Sequence, residues 1–339
     1  GNGGTAQQNG GSTGGEQGGS ASLPGKGIRV GLVTDVGGLN DHGFNALAYA
    51  GLQRAIKELG VEGNVIESKN QTDYVPNLTN FAQQGYDMVI AVGFLMDKQI
   101  KEVAPQFPNT KFGIIDVAVD DNPSPNLAGA VFKYQEAGYL AGALSGLLEE
   151  QNALPDLNSD KKVAIVGGMK IPPVDAYIAG FEQAVKDLTP AVQVLRRYTG
   201  NFDDPNSGHE MAATVIADGA DIVQQCAGGT GIGVINGAKD NGVYALGVDT
   251  DQGYLAPQTV FASGLKKVDE VTFALIKSVV DGSFKAGTQV FDLKSGGVGL
   301  AYTPDAGHPE IPQAIVDQVQ EISDKIIAGE IVPPEVPVD

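Results

Sequence analysis

The stretch Arg29-Val-Gly-Leu-Val-Thr-Asp-Val-Gly-Gly-Leu-Asn-Asp-His-Gly-Phe-Asn45 starts as an apolar, β-branched run and ends in an acid. A glycine-rich turn follows, and then an Asn/Asp pair that opens a helical pattern. That order is a parallel strand handing over to its helix. It gathers Asp35, Asn40, Asp41, Phe44 and Asn45 at the carboxyl edge of the strand, where open α/β sheets bind their ligands. An aromatic face, two amides and two carboxylates suit a small polar ring compound better than a phosphate. The helix beyond carries Phe44, Leu47, Ala48, Gly51, Leu52, Ala55, Ile56 and Leu59, spaced for one buried face.

Outward from this unit the same alternation continues. Ile28–Thr34, Met88–Val92, Phe112–Asp116, Val163–Val166, Ile222–Gln225 and Val243–Val248 read as strands, each followed by a turn and an amphipathic segment. An internal echo sets the number of lobes. Gly51-Leu-Gln-Arg-Ala-Ile-Lys-Glu-Leu59 returns as Gly180-Phe-Glu-Gln-Ala-Val-Lys-Asp-Leu188, and Gly85-Tyr-Asp-Met-Val89 returns as Gly219-Ala-Asp-Ile-Val223. The period is far too long for a solenoid. Two similarly built α/β lobes whose strand ends face each other form a clamshell with a central cleft.

At 339 residues the chain is long enough for two ordinary domains. A formal net charge of -19 without a cluster of Lys or Arg argues against nucleic acid as a partner. The single Cys226 excludes an internal disulfide and a thiolate metal cage; at the end of an apolar segment it reads as a buried, inert thiol. No run approaches the roughly 20 apolar residues of a membrane-spanning helix. Residues 1–26, rich in Gly, Ser and Gln, read as a flexible tether. A tether ahead of a compact body suits a protein held to a membrane by its N-terminus; an appended linker is the alternative.

The candidate side chains each carry a structural reading beside the functional one. On periodicity alone Phe44 is a core or staple residue. Asp35 either caps the glycine turn or contacts a ligand. Asn40 or Asp41 caps the helix, and a cap can also touch a ligand. Gly228-Gly-Thr-Gly-Ile-Gly233 lacks the Gly-Lys-Ser/Thr of a phosphate loop, which favours a turn that lets Thr230 and backbone amides approach a neutral ligand. Asp249 ends a strand, where a carboxylate can accept bonds from vicinal hydroxyls or cap a turn. Lys266, unaided, reads as a solvated lysine. Phe202 is an apolar ring in the polar loop Asn201-Phe-Asp-Asp204. His42, His209 and His308 are scattered without metal-ligand spacing, and no nucleophile elbow is present, so the pattern is that of a binder with no metal, no cofactor and no catalytic residue.

Laid out together, these residues resemble the basic membrane protein family of solute-binding lipoproteins, which includes purine nucleoside receptors of ABC transporters. The resemblance runs from Ile28 to about Ala301. It rests on Thr34-Asp-Val-Gly-Gly, Asp41-His-Gly-Phe-Asn45, Gly93-Phe94, Phe112-Gly-Ile-Ile-Asp116, Val166-Gly-Gly-Met169, Ala227-Gly-Gly-Thr-Gly231, Gly247-Val-Asp-Thr-Asp-Gln252, Leu265-Lys-Lys-Val268 and Gly296-Gly-Val-Gly-Leu300. It implies a type I periplasmic-binding-protein fold of the α/β class, with two Rossmann-like lobes. Lobe one is expected over 27–134 plus 265–285, and lobe two over 135–264 plus 286–339. It further implies a base held between Phe44 and Phe202, base contacts from Asp35 and Asn45, and ribose contacts from Gly229, Asp249 and Lys266. Asn40, Asp116 and Thr230 complete the expected ligand set. Gly43 stands where the family commonly has serine, and Lys170 where it commonly has an acid. The implied role is that of a monomeric receptor passing a nucleoside such as adenosine, guanosine or inosine to an ABC permease. A receptor for a sugar or autoinducer, or a nucleoside-cleaving enzyme, are the alternatives.

Overall fold

The computed structural model of the chain describes residues 21–122, 124–303 and 307–339. Most of the expected tether, residues 1–20, lies outside the described residues. The remainder of that segment is already part of the body: Leu23 lies over Gly60, and the Gly25 amide donates to Leu59 at 2.7 Å.

The first stretch of chain forms β1 (Arg29–Thr34), α1 (Phe44–Leu59), β2 (Glu62–Ile66), α2 (Tyr74–Gln83), β3 (Met88–Val92), α3 (Asp97–Val103), β4 (Lys111–Ile115) and β5 (Leu127–Phe132). After a crossover come α4 (Tyr134–Glu150), β6 (Lys162–Gly167), α5 (Pro172–Leu188), β7 (Gln193–Tyr198), α6 (Pro205–Ala217) and β8 (Ile222–Cys226). Then follow α7 (Gly228–Asp240), β9 (Tyr244–Asp249), β10 (Val260–Lys266), α8 (Val268–Val280), β11 (Gly287–Phe291), β12 (Val298–Tyr302) and α9 (Gln313–Ile327).

The strands build two six-stranded sheets, ordered β11-β5-β4-β3-β1-β2 and β12-β10-β9-β8-β6-β7. All pairings are parallel except β10 with β12. The central strands are buried on both faces, as continuous runs such as Met88-Val-Ile-Ala-Val92 require under helices on both sides. The internal echo marks equivalent places in the two sheets. α1 follows β1 as α5 follows β6, and Gly85 and Gly219 supply the positive φ (76° and 106°) at the turns into β3 and β8.

The lobes are interleaved. α4 leaves the first sheet but packs against α5 of the second, with its residues Tyr134–Glu149 all buried. α8 leaves the second sheet and packs against α1 of the first. The helix pairs touch through the echoed glycines: a Cβ on Gly180 would lie 2.0 Å from the Gln135 carbonyl, and one on Gly51 2.5 Å from that of Asp269. One apolar core therefore runs through both lobes.

The structure moves one expected boundary. β11 pairs in parallel with β5, so residues 287–291 belong to lobe one and only the later segment returns to lobe two. β11 is a half-exposed edge strand, and its alternating Thr, Gln and Val carry no signal for either sheet.

Candidate functional site

Each sheet ends at the junction between the lobes in a set of strand-end side chains. Asp35 follows β1, Gly93 follows β3 and Asp116 follows β4; Cys226 ends β8, Asp249 ends β9 and Lys266 ends β10. All of them line one cleft between the two sheets. Asp116 and Asp249 occupy matching places, at the end of the fourth strand of each half. Both have left-handed backbones, with φ of 70° and 71°.

At the start of α1 the acid that takes the free helix amides is Asp41. Its carboxylate accepts from Gly43 (3.0 Å), Asn45 (2.7 Å) and Ala46 (3.1 Å). Asn40, the other expected cap and a proposed contact, is exposed and lies outside the cleft, in an outer recess with His42 and Tyr254. Asn45 is buried and braces two acids at once. Its Nδ2 donates to Asp35 Oδ1 at 2.8 Å and to Asp41 Oδ2 at 3.1 Å, while its Oδ1 accepts from the Asp35 amide. Burial lifts the Asp35 carboxyl to about 7 against the opposing pull of Asn45 and Gly37. The Asp35 Oδ2 lies toward Gly93, beside the Phe44 ring.

Phe44 and Phe202 approach from different lobes. Phe44 lines the cleft over Gly93, and Phe202 lies over Gly168 and Gly228, where a Cβ on Gly168 would come within 2.4 Å of the ring. The expected approach of Thr230 to a ligand is not what the structure shows. Thr230 is fully buried and does not line the cleft. Its hydroxyl bonds Asn201 Oδ1 and accepts from the Asp204 amide, and its amide donates to the Phe202 carbonyl. The glycine-rich start of α7 thus holds the loop that carries Phe202. Gly229, expected at the ribose, lies beside the Phe202 carbonyl and near Gly37 and Asp41, where the lobes meet, and is not among the lining residues; Gly228 is.

Lys266 is not solvated. It is 2% exposed, and its Nζ is 2.7 Å from Asp116 Oδ2. The ammonium also faces the rings of Tyr134 (4.3 Å), Phe44 (5.0 Å) and Phe132 (5.4 Å). Asp249 Oδ1 accepts from the Tyr134 hydroxyl at 2.6 Å, and burial raises its carboxyl to about 6 even with Lys266 near. Tyr134, Ile171, Pro173, Val174 and Phe94 also line the cleft. Cys226 is buried as expected, with its thiol held protonated by that burial, yet it faces the cleft. Lys170 is exposed, pairs with Asp175 at 2.9 Å and does not line the cleft. Gly43 sits against Asp249, whose Oδ2 would be 3.0 Å from a Cβ there.

Further contacts tie the lobes across the cleft mouth. Gln252 Nε2 donates to the His42 carbonyl at 3.0 Å, and His42 Nδ1 meets the Tyr254 hydroxyl at 2.7 Å. Among the described residues no group of three His, Cys, Asp or Glu is placed to hold a metal. None of the three histidines is among the cleft-lining residues; their rings bond to Tyr254, to Asp240 and to backbone carbonyls. The arrangement offers rings for stacking and carboxylate oxygens for donors.

A family model described as ABC transporter substrate-binding protein PnrA-like matches residues 28–336. The ABC transporter nucleoside-binding protein BmpA of Lactococcus lactis subsp. cremoris is 31% identical, over 91% of this chain and 89% of its own length. An uncharacterized lipoprotein of Pyrococcus horikoshii is 36% identical, over 81% of this chain and 69% of its own. Among solved structures, an ABC transporter solute-binding protein from Aeropyrum pernix K1 superposes with a TM-score of 0.83 at 30% identity, covering 91% of this chain and 94% of that one.

Proposed function

The chain belongs to the PnrA-like family of ABC transporter substrate-binding proteins, and we propose that its cleft captures a nucleoside, a purine nucleoside foremost, for delivery to a membrane permease. The observation that carries this reading is the pair Phe44 and Phe202, brought from opposite lobes into one cleft that the strand-end carboxylates of both lobes also line. A planar base can stack on such rings, which contributes roughly 1–3 kcal/mol per base. Asp249 and Asp35 each keep an oxygen for donors on the ligand: the ribose hydroxyls for Asp249, the N–H edge of the base for Asp35. Closure of the lobes excludes water and strengthens those bonds. The name of the Lactococcus relative supports the same class of ligand.

In this reading the protein works outside the cytoplasm, held by a lipid anchor upstream of the described body, as the lipoprotein relatives suggest. No described helix is long and apolar enough to cross a membrane. In this reading it binds without turnover.

Calorimetry with adenosine, guanosine, inosine, uridine, free bases and simple sugars tests the proposal. Purine nucleosides should bind most tightly; a sugar that binds while every nucleoside fails would overturn it. Chromatography after long incubation with inosine should show no free hypoxanthine. The chain has no Trp, so a co-purified purine should also stand out in the ultraviolet spectrum of the denatured, filtered protein.

A further inference from the structure

We propose that Asp116 is a specificity-determining residue: by holding Lys266 in an ion pair, it denies a phosphate the one cation among the described cleft-lining side chains. The inference rests on the nucleoside reading and adds what that ligand must lack.

Five charged side chains line the cleft, the acids Asp35, Asp41, Asp116 and Asp249 and the base Lys266. Lys266 is spoken for. Its Nζ is 2.7 Å from Asp116 Oδ2, with the two side chains only 3% and 6% exposed. Aromatic rings at 4.3, 5.0 and 5.4 Å surround the rest of the ammonium. The remaining N–H donors face those rings, and full pairing with a phosphate would draw the ammonium from a buried carboxylate, left less well paired in low dielectric.

The other acids sharpen the exclusion. Asp41 is committed to the amides at the start of α1, while Asp35 and Asp249 each spend one oxygen on a protein donor. Above about pH 7, where Asp35 and Asp249 are ionised, a phosphate dianion entering among these carboxylates meets like charge, and like charges brought together in an interface are strongly disfavoured. Hydroxyl and N–H donors meet acceptors. The same cleft therefore takes a neutral nucleoside and refuses its 5′-phosphate.

The test measures discrimination by calorimetry and by thermal shift in a phosphate-free buffer. The wild-type protein should bind a purine nucleoside at least about a hundredfold more tightly than its 5′-monophosphate, and millimolar inorganic phosphate should leave its melting temperature unchanged. Asp116→Asn keeps the size of the side chain, and asparagine tolerates the left-handed backbone at this position. In that variant the discrimination should shrink by about tenfold or more, and inorganic phosphate should raise the melting temperature. The double variant Asp116→Asn, Lys266→Met should lose both gains. Asp116→Ser serves if the asparagine variant fails to fold.

Wild-type binding of the monophosphate within tenfold of the nucleoside would overturn the proposal. So would an equal response to inorganic phosphate in wild type and variant, or gains that survive loss of Lys266. The phosphate arm needs no nucleoside. If it separates the variants while no nucleoside binds any of them, the ligand reading falls and the role of Asp116 in withholding Lys266 stands.

Discussion

Removing the Phe44 ring should weaken nucleoside binding about 5- to 150-fold, the span that corresponds to 1–3 kcal/mol of stacking; unchanged affinity of Phe44→Ala in calorimetry would count against the sandwich. Asp249→Asn should weaken ribosides more than free bases, because only ribosides carry the vicinal hydroxyls it would accept. Asp35 bears on stability as well. Its folded carboxyl titrates at about 7 against an ordinary 3.8, so it holds a proton that the unfolded chain has released. Between those values the folded form binds more protons, so this group's contribution to stability falls as pH rises and the cost is complete above about pH 7. The ligand-free Asp35→Asn variant should therefore melt above the parent near pH 8 and close to it near pH 4, by differential scanning fluorimetry. Asp35 and Asp249 are legible in the sequence as cleft-edge residues because a strand–turn–helix junction places its end residues on a ligand-facing edge, whereas the periodicity of Phe44 reads as core and only the family resemblance points it at a ligand. Tyr134 is not: it opens a helix after Leu127-Ala-Gly-Ala-Val-Phe132, a strand of small residues that carries little hydrophobic pattern. Thr230 misleads because a glycine-rich turn does not reveal which way its hydroxyl faces.

At the scale of elements, the helix crossings depend on two glycines that the sequence repeats. Gly180→Ala should force α5 away from α4 and destabilise the protein by about 1–3 kcal/mol or more, read from urea unfolding. An equal loss is expected for Gly51→Ala at the α1–α8 crossing. The repeat itself is legible, as are β1, β3, β4, β6, β8 and β9, whose apolar runs need cover on both faces; the buried β5 and β10 are not, because Ala, Gly and Ser interrupt their runs. The edge strands β2, β7, β11 and β12 are not, because half-exposed strands carry mixed side chains. β11 shows why the misplaced boundary matters: the sheet it joins is decided by a backbone ladder with β5, more than 150 residues earlier, and by nothing in its own composition. Thr230→Val probes an element without touching the cleft wall. Losing the bonds to Asn201 and Asp204 should free the Phe202 loop and weaken binding while the melting temperature changes little.

For the molecule as a whole, function rests on contacts between lobes that sit far apart along the chain. Gln252 and His42 are joined across the mouth, and Lys266 and Asp116 at the floor. No periodicity connects such positions, so the clamshell is legible while the ties that hold it shut are not. Gln252→Ala should shift the ligand-free protein toward open lobes and lower affinity several-fold, since only the closed population binds fully. Small-angle scattering should show a larger radius of gyration in the variant, restored by saturating ligand. The interleaving of the lobes has one further consequence, for the order in which the molecule can be made. On the ribosome the first sheet emerges with β5 as an open edge and without α8; the second gap persists until the chain beyond 280 appears and the first until it is beyond 291. An unpaired parallel edge and an uncovered apolar face are the usual routes to misassembly. The nascent protein should thus be most vulnerable late in translation, and a chain released before β11 should aggregate instead of yielding a usable half.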